Sequence, residues 1–111
     1  MSADQRISLN TLDTIHLVNL DDILYCKCDN SSTTFCLVNG KSIQVSRSIK
    51  EIESQLAGAD FIRSHQSYLV NMRHIVAIRK AKSYSIVLSD NTQIPTSTRK
   101  RKEILQILTE K

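Results

Sequence analysis

Residues 61–75 run Phe61-Ile62-Arg63-Ser64-His65-Gln66-Ser67-Tyr68-Leu69-Val70-Asn71-Met72-Arg73-His74-Ile75, alternating apolar side chains with hydrogen-bonding ones. Amide and guanidinium groups offer the paired donors and acceptors that base edges in the DNA major groove require. Gln66 suits an adenine in this way, and Arg99, further along, a guanine. His65, taken by itself, reads as a structural histidine that satisfies buried backbone. The second concentration of chemistry is Ser97-Thr98-Arg99-Lys100-Arg101-Lys102. If a helix begins there, four cations occupy a first turn where the macrodipole favours anions by ~0.3–1 kcal/mol per charge. Stability alone would not select that arrangement. A phosphate at that end would be drawn by the backbone N–H groups, the dipole and the cations together. Ser97 and Thr98 are placed either to cap the helix or to donate to a phosphate oxygen. The competing reading is a solvated basic turn with no ligand.

Catalytic chemistry finds no support. A nucleophile needs a base and a group to orient that base, and His16, His65 and His74 have no associated carboxylate pattern. No Gly-rich phosphate loop is present, and the two helical segments are too far apart for a helix-turn-helix. Cys26, Cys28 and Cys36 lie in apolar, strand-like stretches. An odd number of thiols argues against a disulfide framework, and Cys-x-Cys lacks the spacing of common zinc sites. The thiols are expected to be buried small hydrophobes. The chain is therefore not expected to be an enzyme, to hold a metal or other cofactor, or to take a small-molecule substrate.

The net charge of +4 conceals an asymmetry. Residues 1–60 carry five Lys/Arg against eight Asp/Glu, whereas residues 61–111 carry ten against three. The basic half is suited to a polyanion. With 111 residues, 41% of them hydrophobic and 23% charged, the chain has the size and composition of one globular domain. It lacks the run of ~18 apolar residues that a membrane helix needs. No apolar signal-peptide segment follows Met1, so no membrane contact is expected and the location is read as cytoplasmic. Residues 1–6 are expected to be a disordered or added N-terminus, and 7–109 the domain.

Short strand-like runs dominate, at residues 7–9, 14–19, 23–27, 34–38, 42–45, 75–79 and 84–88, each bounded by turn residues. Asn39-Gly40 predicts a hairpin, since both residues tolerate the positive φ of a type I′ turn. Asp29-Asn30-Ser31-Ser32 and Ser89-Asp90-Asn91 predict two more, which makes the sheets antiparallel. Ser48-Ile49-Lys50-Glu51 matches a capping box, with Ile49, Ile52 and Leu56 following at helical spacing and Gly58 as the stop. A second helix is predicted over 99–109, with Ile104, Leu105, Ile107 and Leu108 on its apolar side. The fold class is thus mainly β, with two short helices at about 48–57 and 99–109.

The run Phe61-Ile62-Arg63-Ser64-His65-Gln66-Ser67-Tyr68-Leu69-Val70-Asn71, followed by His74-Ile75, resembles the signature of LytTR domains, F-x-R-x-H-x-S-Y-x-V-N before an apolar strand. Asp22-Ile23-Leu24-Tyr25 and Ile94-Pro95-Thr96-Ser97-Thr98-Arg99 echo the same family in the expected order, so the likeness covers residues 7–108. It implies an elongated arrangement of small antiparallel sheets, with double-stranded DNA bound by connecting segments in successive major grooves of direct-repeat promoter sites. By that resemblance, the base-reading residues are Ser32 in the loop after the third strand, Gln66, and Arg99. Ser67, Ser97, Lys100 and Lys102 would hold phosphates. His65, Tyr68 and Asn71 would support the segment that presents Gln66. Gln66, Thr98 and Ser32 differ from common occupants of their positions, so an operator sequence does not transfer.

Such domains usually follow a phosphoacceptor receiver domain in bacterial two-component response regulators, and the resemblance implies one outside this sequence. Two other functions remain in view. A β-barrel for single-stranded nucleic acid would need exposed aromatic stacking platforms, and Tyr25, Phe35, Phe61, Tyr68 and Tyr84 fall mostly at core-like positions. A protein-interaction module would be indifferent to the loss of Arg99, Lys100 and Lys102.

Overall fold

The computed structural model describes residues 5–109. The chain runs through β1 (Arg6–Asn10), β2 (Ile15–Asn19), β3 (Ile23–Asp29), β4 (Ser32–Leu37), β5 (Ser42–Val45), α1 (Ile49–Gln55), β6 (Phe61–His65), β7 (Tyr68–Asn71), β8 (Ile75–Arg79), β9 (Ser85–Leu88), β10 (Gln93–Pro95) and α2 (Thr98–Thr109). Single 3-10 turns, Leu20–Asp22 and Met72–His74, lead into β3 and β8. All strand pairs are antiparallel. They form a β1-β2 hairpin, a five-stranded sheet ordered β5-β4-β3-β7-β6, and a three-stranded sheet ordered β10-β9-β8. The described residues extend 43 × 34 × 24 Å. Of the segment 1–6 expected to be unstructured, residues 1–4 lie outside the described residues. Gln5 accepts a hydrogen bond from the Leu20 N–H at 3.1 Å, and Arg6 opens β1.

The five-stranded sheet is buried on both faces. On one, Ile7, Leu9 and Val18 of the hairpin and Ile49, Ile52 and Leu56 of the first helical segment cover Ile23, Cys26, Phe35 and Leu69. On the other, Ile86, Leu88, Ile94 and Ile104 cover Leu24, Ile62 and Val70. Burying a side chain of this size stabilises by ~1.5–3 kcal/mol, so this second cluster holds α2 and the small sheet against β6. One irregularity lets a single strand feed both cores. Regular alternation would put Leu24 and Cys26 on one face, but the register shifts between Ile23 and Tyr25, and the bulge turns them to opposite faces.

The capping box forms: Ser48 Oγ accepts from the Glu51 N–H at 3.1 Å, and Glu51 Oε1 accepts from the Ser48 N–H at 3.0 Å. α1 ends at Gln55, and Gly58, at φ +90°, lies in the turn beyond. The Asn39-Gly40 hairpin is present, but not with a two-residue type I′ turn. Gly40 N–H donates to Leu37 O at 3.1 Å, Leu37 N–H donates to Lys41 O at 2.9 Å, and only Gly40 has positive φ, +87°. This is a type I turn closed by a left-handed glycine bulge. Asn39 stays out of the left-handed region because its Oδ1 accepts from the Lys41 N–H at 2.9 Å. The Ser89–Thr92 turn repeats the design, with Asn91 at φ +73° and Asp90 Oδ1 accepting from the Thr92 N–H at 3.0 Å.

Three strands escaped the sequence reading: β6, β7 and β10. β6 is the outer strand of its sheet and carries Arg63 and His65 at half-buried positions. Such an edge does not need the apolar alternation of a central strand, so its polar residues disguise it.

Candidate nucleic-acid interface

The turn from β6 to β7 is held from several sides. The register slips between Arg63 and His65, leaving Ser64 as an extra, fully buried residue. Its Oγ donates to Pro95 O at 3.4 Å, and its carbonyl accepts from the Ser97 N–H at 2.9 Å. The end of β6 is thereby fastened to the segment that enters α2. His65 Nδ1 accepts from the Ser67 N–H at 3.1 Å, which ties the ring to the turn. The ring meets Tyr68 edge-on, with centroids 5.7 Å apart.

Arg63 was given no role from the sequence, yet it makes three side-chain hydrogen bonds. Its Nε donates to His65 O at 3.2 Å, its Nη2 to Gln66 O at 2.8 Å, and its Nη1 to Glu53 Oε1 of α1 at 2.7 Å. One half-buried guanidinium thus clamps the turn to α1. Its place as the R of the F-x-R-x-H run is the signal that marks Arg63. Nothing in the local sequence marks Glu53 as its partner.

At the other wall, Ser97 occupies the capping position of α2, and its Oγ accepts from the Lys100 N–H at 3.2 Å. Its O–H remains free to donate. The first turn of α2 contains no acidic residue. Lys100 Nζ and Glu103 Oε1 are 3.9 Å apart, while Arg101 lies over the Tyr84 ring at 4.6 Å from its centroid.

Between these walls is an open groove of about 570 Å³ lined by Glu53, Arg63, His65, Gln66, Ser97, Arg99, Lys100 and Glu103. Gln66 and Arg99 are both exposed, and neither side chain has a hydrogen-bonded or ionic partner among the described residues. Of the two carboxylates, Glu53 is neutralised by Arg63 and Glu103 lies near Lys100. Arg99 and the α2 N-terminus therefore leave the groove attractive to an anion.

The fold brings Gln66, Ser97, Arg99 and Lys100 together, with Ser67 next to Gln66. Lys102 is exposed on α2 but does not line the groove. Ser32 is not in a loop. Asn30, at φ +60°, lets two residues reverse the chain, so Ser32 opens β4 opposite Asp29. Its Oγ donates to Asp29 O at 3.2 Å and accepts from Gln44 Nε2 at 3.0 Å. It shares an end of the sheet with the groove, because the adjoining Cys28 N–H donates to Ser67 O at 2.8 Å. Asn71 is a buried structural residue, but at the far end of β7 from Gln66. Its Nδ2 donates to Leu20 O at 3.2 Å and Ile23 O at 2.9 Å, and its Oδ1 accepts from the Arg73 N–H at 3.0 Å. At that end Arg73 pairs with Asp21 and Asp60, which raises its pKa further and engages its charge.

Cys26 is buried, with its thiol pKa pushed up by the loss of water, while Cys28 and Cys36 are half-buried. Cys26 pairs with Phe35, and Cys36 with Tyr25. No group of three or more His, Cys, Asp or Glu able to hold a metal occurs among the described residues. None of their helices is long and apolar enough to cross a membrane.

Comparison with known proteins gives one family. The family model described as LytTr DNA-binding domain matches residues 13–109. The chain is 28% identical over 109 residues to the sensory transduction protein LytT of Bacillus subtilis, covering 96% of this chain and 45% of that protein. It is 28% identical over 85 residues to the transcriptional regulatory protein LytR of Staphylococcus aureus strain MW2, covering 77% of this chain and 34% of that one. The chain thus spans less than half the length of these relatives. A solved LytTr DNA-binding domain of a Bacillus cereus response regulator superposes with a TM-score of 0.81 at 23% identity, covering 94% of this chain and 96% of that one. At that identity the superposition establishes the fold.

Proposed function

This chain belongs to the LytTR DNA-binding domain family, and we propose that it reads duplex DNA base by base, as the output domain of a two-component response regulator. Its family is one of DNA-binding domains of transcriptional regulators rather than of enzymes. The observation that carries the proposal is the convergence of Gln66 and Arg99, from segments far apart in sequence, on one groove with both side chains unengaged.

Gln66 pairs with an adenine and Arg99 with a guanine in one major groove. Ser67, Ser97, Lys100 and Lys102 hold the flanking phosphates and fix the register. Ser32 makes the contact in the next groove. Its hydroxyl gives its proton to Asp29 O and one lone pair to Gln44 Nε2, which leaves one acceptor site. His65 and Tyr68 hold the Gln66 turn. Residues 7–109 form the binding unit, a receiver domain elsewhere in the full-length regulator governs it, and direct-repeat promoter sites in the cytoplasm are its targets.

Selection from random duplexes, followed by salt titration of the enriched sequence and a scrambled control, tests this reading. One enriched motif is expected, bound more tightly than the control, with a log–log salt slope near −0.9 per phosphate contact. Equal, weak binding to both duplexes would overturn it in favour of an interaction module.

A further inference from the structure

We infer that the β8–β9 loop is a second backbone clamp, holding the phosphates that flank the base-reading groove; this rests on the duplex-binding reading above. Arg79, Lys80 and Lys82 crowd three cations into this one turn, and all are exposed. None is in an ion pair among the described residues. Lys82 adopts φ +60°, a region that disfavours a long side chain on an L-residue. Mutual repulsion and this backbone cost both oppose the turn in the free protein. A polyanion laid across it offsets the first of these.

The position of the loop selects the polyanion. Arg79, Ser85 and Pro95 form one row across the small sheet, so the loop lies at the end from which the chain leaves for Ser97 and α2. Two strand spacings of ~4.8 Å place the Arg79 backbone about 10 Å from Pro95. Each DNA strand carries a phosphate every ~3.4 Å along the axis, so that offset corresponds to about three phosphates. The loop is also fastened to the groove. Tyr84 O accepts from Thr96 Oγ1 at 3.0 Å and from the Thr96 N–H at 3.4 Å, and the Tyr84 ring carries Arg101 of α2. A duplex seated on Arg99 and Lys100 therefore has the same backbone, about three phosphates further along, over Lys80 and Lys82. Such contacts see charge and not sequence.

The test is a triple variant, Arg79→Gln, Lys80→Gln and Lys82→Asn, the asparagine being chosen because it tolerates positive φ. Binding is measured to the enriched motif with long flanks, to a scrambled duplex of equal length, and to the motif trimmed of its flanks. A thermal midpoint equal to that of the parent chain shows that the fold is kept. Should the triple variant melt early, Lys80→Gln with Lys82→Asn alone replaces it.

Affinity for both long duplexes should fall by the same factor, roughly tenfold or more, and the salt slope should lose ~0.9 for each contact removed. On the trimmed duplex the variant and parent should bind alike. Unchanged affinity and slope on long duplexes would overturn the clamp and leave the loop to a protein partner. A loss confined to the enriched motif would overturn it as well, because the loop would then read bases. If the parent chain shows no sequence preference, the base-reading proposal fails, while the comparison on long scrambled DNA still decides the clamp.

Discussion

Arg63 donates from Nη2 to the backbone carbonyl of Gln66 at 2.8 Å, so the residue proposed to read a base is held by its main chain, with no side-chain partner among the described residues. The arrangement fixes where the amide starts without using any of its donors or acceptors. Positioning energy is spent before DNA arrives, which lowers the ordering cost of binding.

Replacing Arg63 should therefore act on recognition from outside the interface. Arg63→Ala leaves the His65 and Gln66 carbonyls and the Glu53 carboxylate without their donor, at a cost of ~1–3 kcal/mol in stability. Amide hydrogen exchange should rise at residues 65–67, and affinity for the enriched duplex should fall. Arg63→Lys should rescue little, because an ammonium cannot serve three acceptors in a planar fork. Full rescue by lysine would show that charge alone matters there.

The proposed base readers in the groove and the proposed phosphate holder Lys102 outside it should separate in a competition assay. Gln66→Ala or Arg99→Ala should each lower specific affinity by ~1–3 kcal/mol and relax preference at one base pair. Lys102→Ala should weaken every sequence alike, and a base-dependent loss would contradict its assignment.

Asn71 governs stability and not recognition. Its buried amide serves two carbonyls and one N–H, and Asn71→Leu strands them all. Urea unfolding should show a loss of ~2–4 kcal/mol, from several buried groups at ~1–3 kcal/mol each. At sub-denaturing concentrations the base preference of the folded fraction should be unchanged.

The thiols should report burial directly. Alkylation of the native chain at neutral pH should label Cys28 and Cys36 and spare Cys26 until unfolding. Burial raises the Cys26 pKa above its unfolded value, so the stability linked to it is complete below about pH 8.5 and declines as pH rises beyond that. Tyr25, raised chiefly by its cross-strand neighbour Cys36 and then by burial, adds to the alkaline loss. The Tm of Cys26→Ala should start lower, because of the cavity, and fall less steeply between pH 8 and 10.

Much of this protein was legible as local chemistry. The Ser48–Glu51 box specified its own helix because both partners lie within one turn. Alternating apolar residues and turn formers located seven of the strands, and the run of cations at Arg99–Lys102 marked the start of a helix as a candidate phosphate site. Gln66 and Arg99 were legible as candidates for base contact because amide and guanidinium edges carry that chemistry wherever they stand.

Only the tertiary structure decided how those residues meet. The slip at Ser64, the Ser64–Ser97 backbone bond and the Arg63–Glu53 pair each join segments that are separate in sequence. The register of an outer strand is set by what packs beside it and not by its own pattern. The same holds for Ser32, which a single left-handed Asn30 moved from an expected loop into a strand. Sequence determined which groups this protein can offer a ligand. Long-range pairing decided that Gln66 and Arg99 line one groove, because the distance between two distant segments is fixed by the contacts between them and not by either alone.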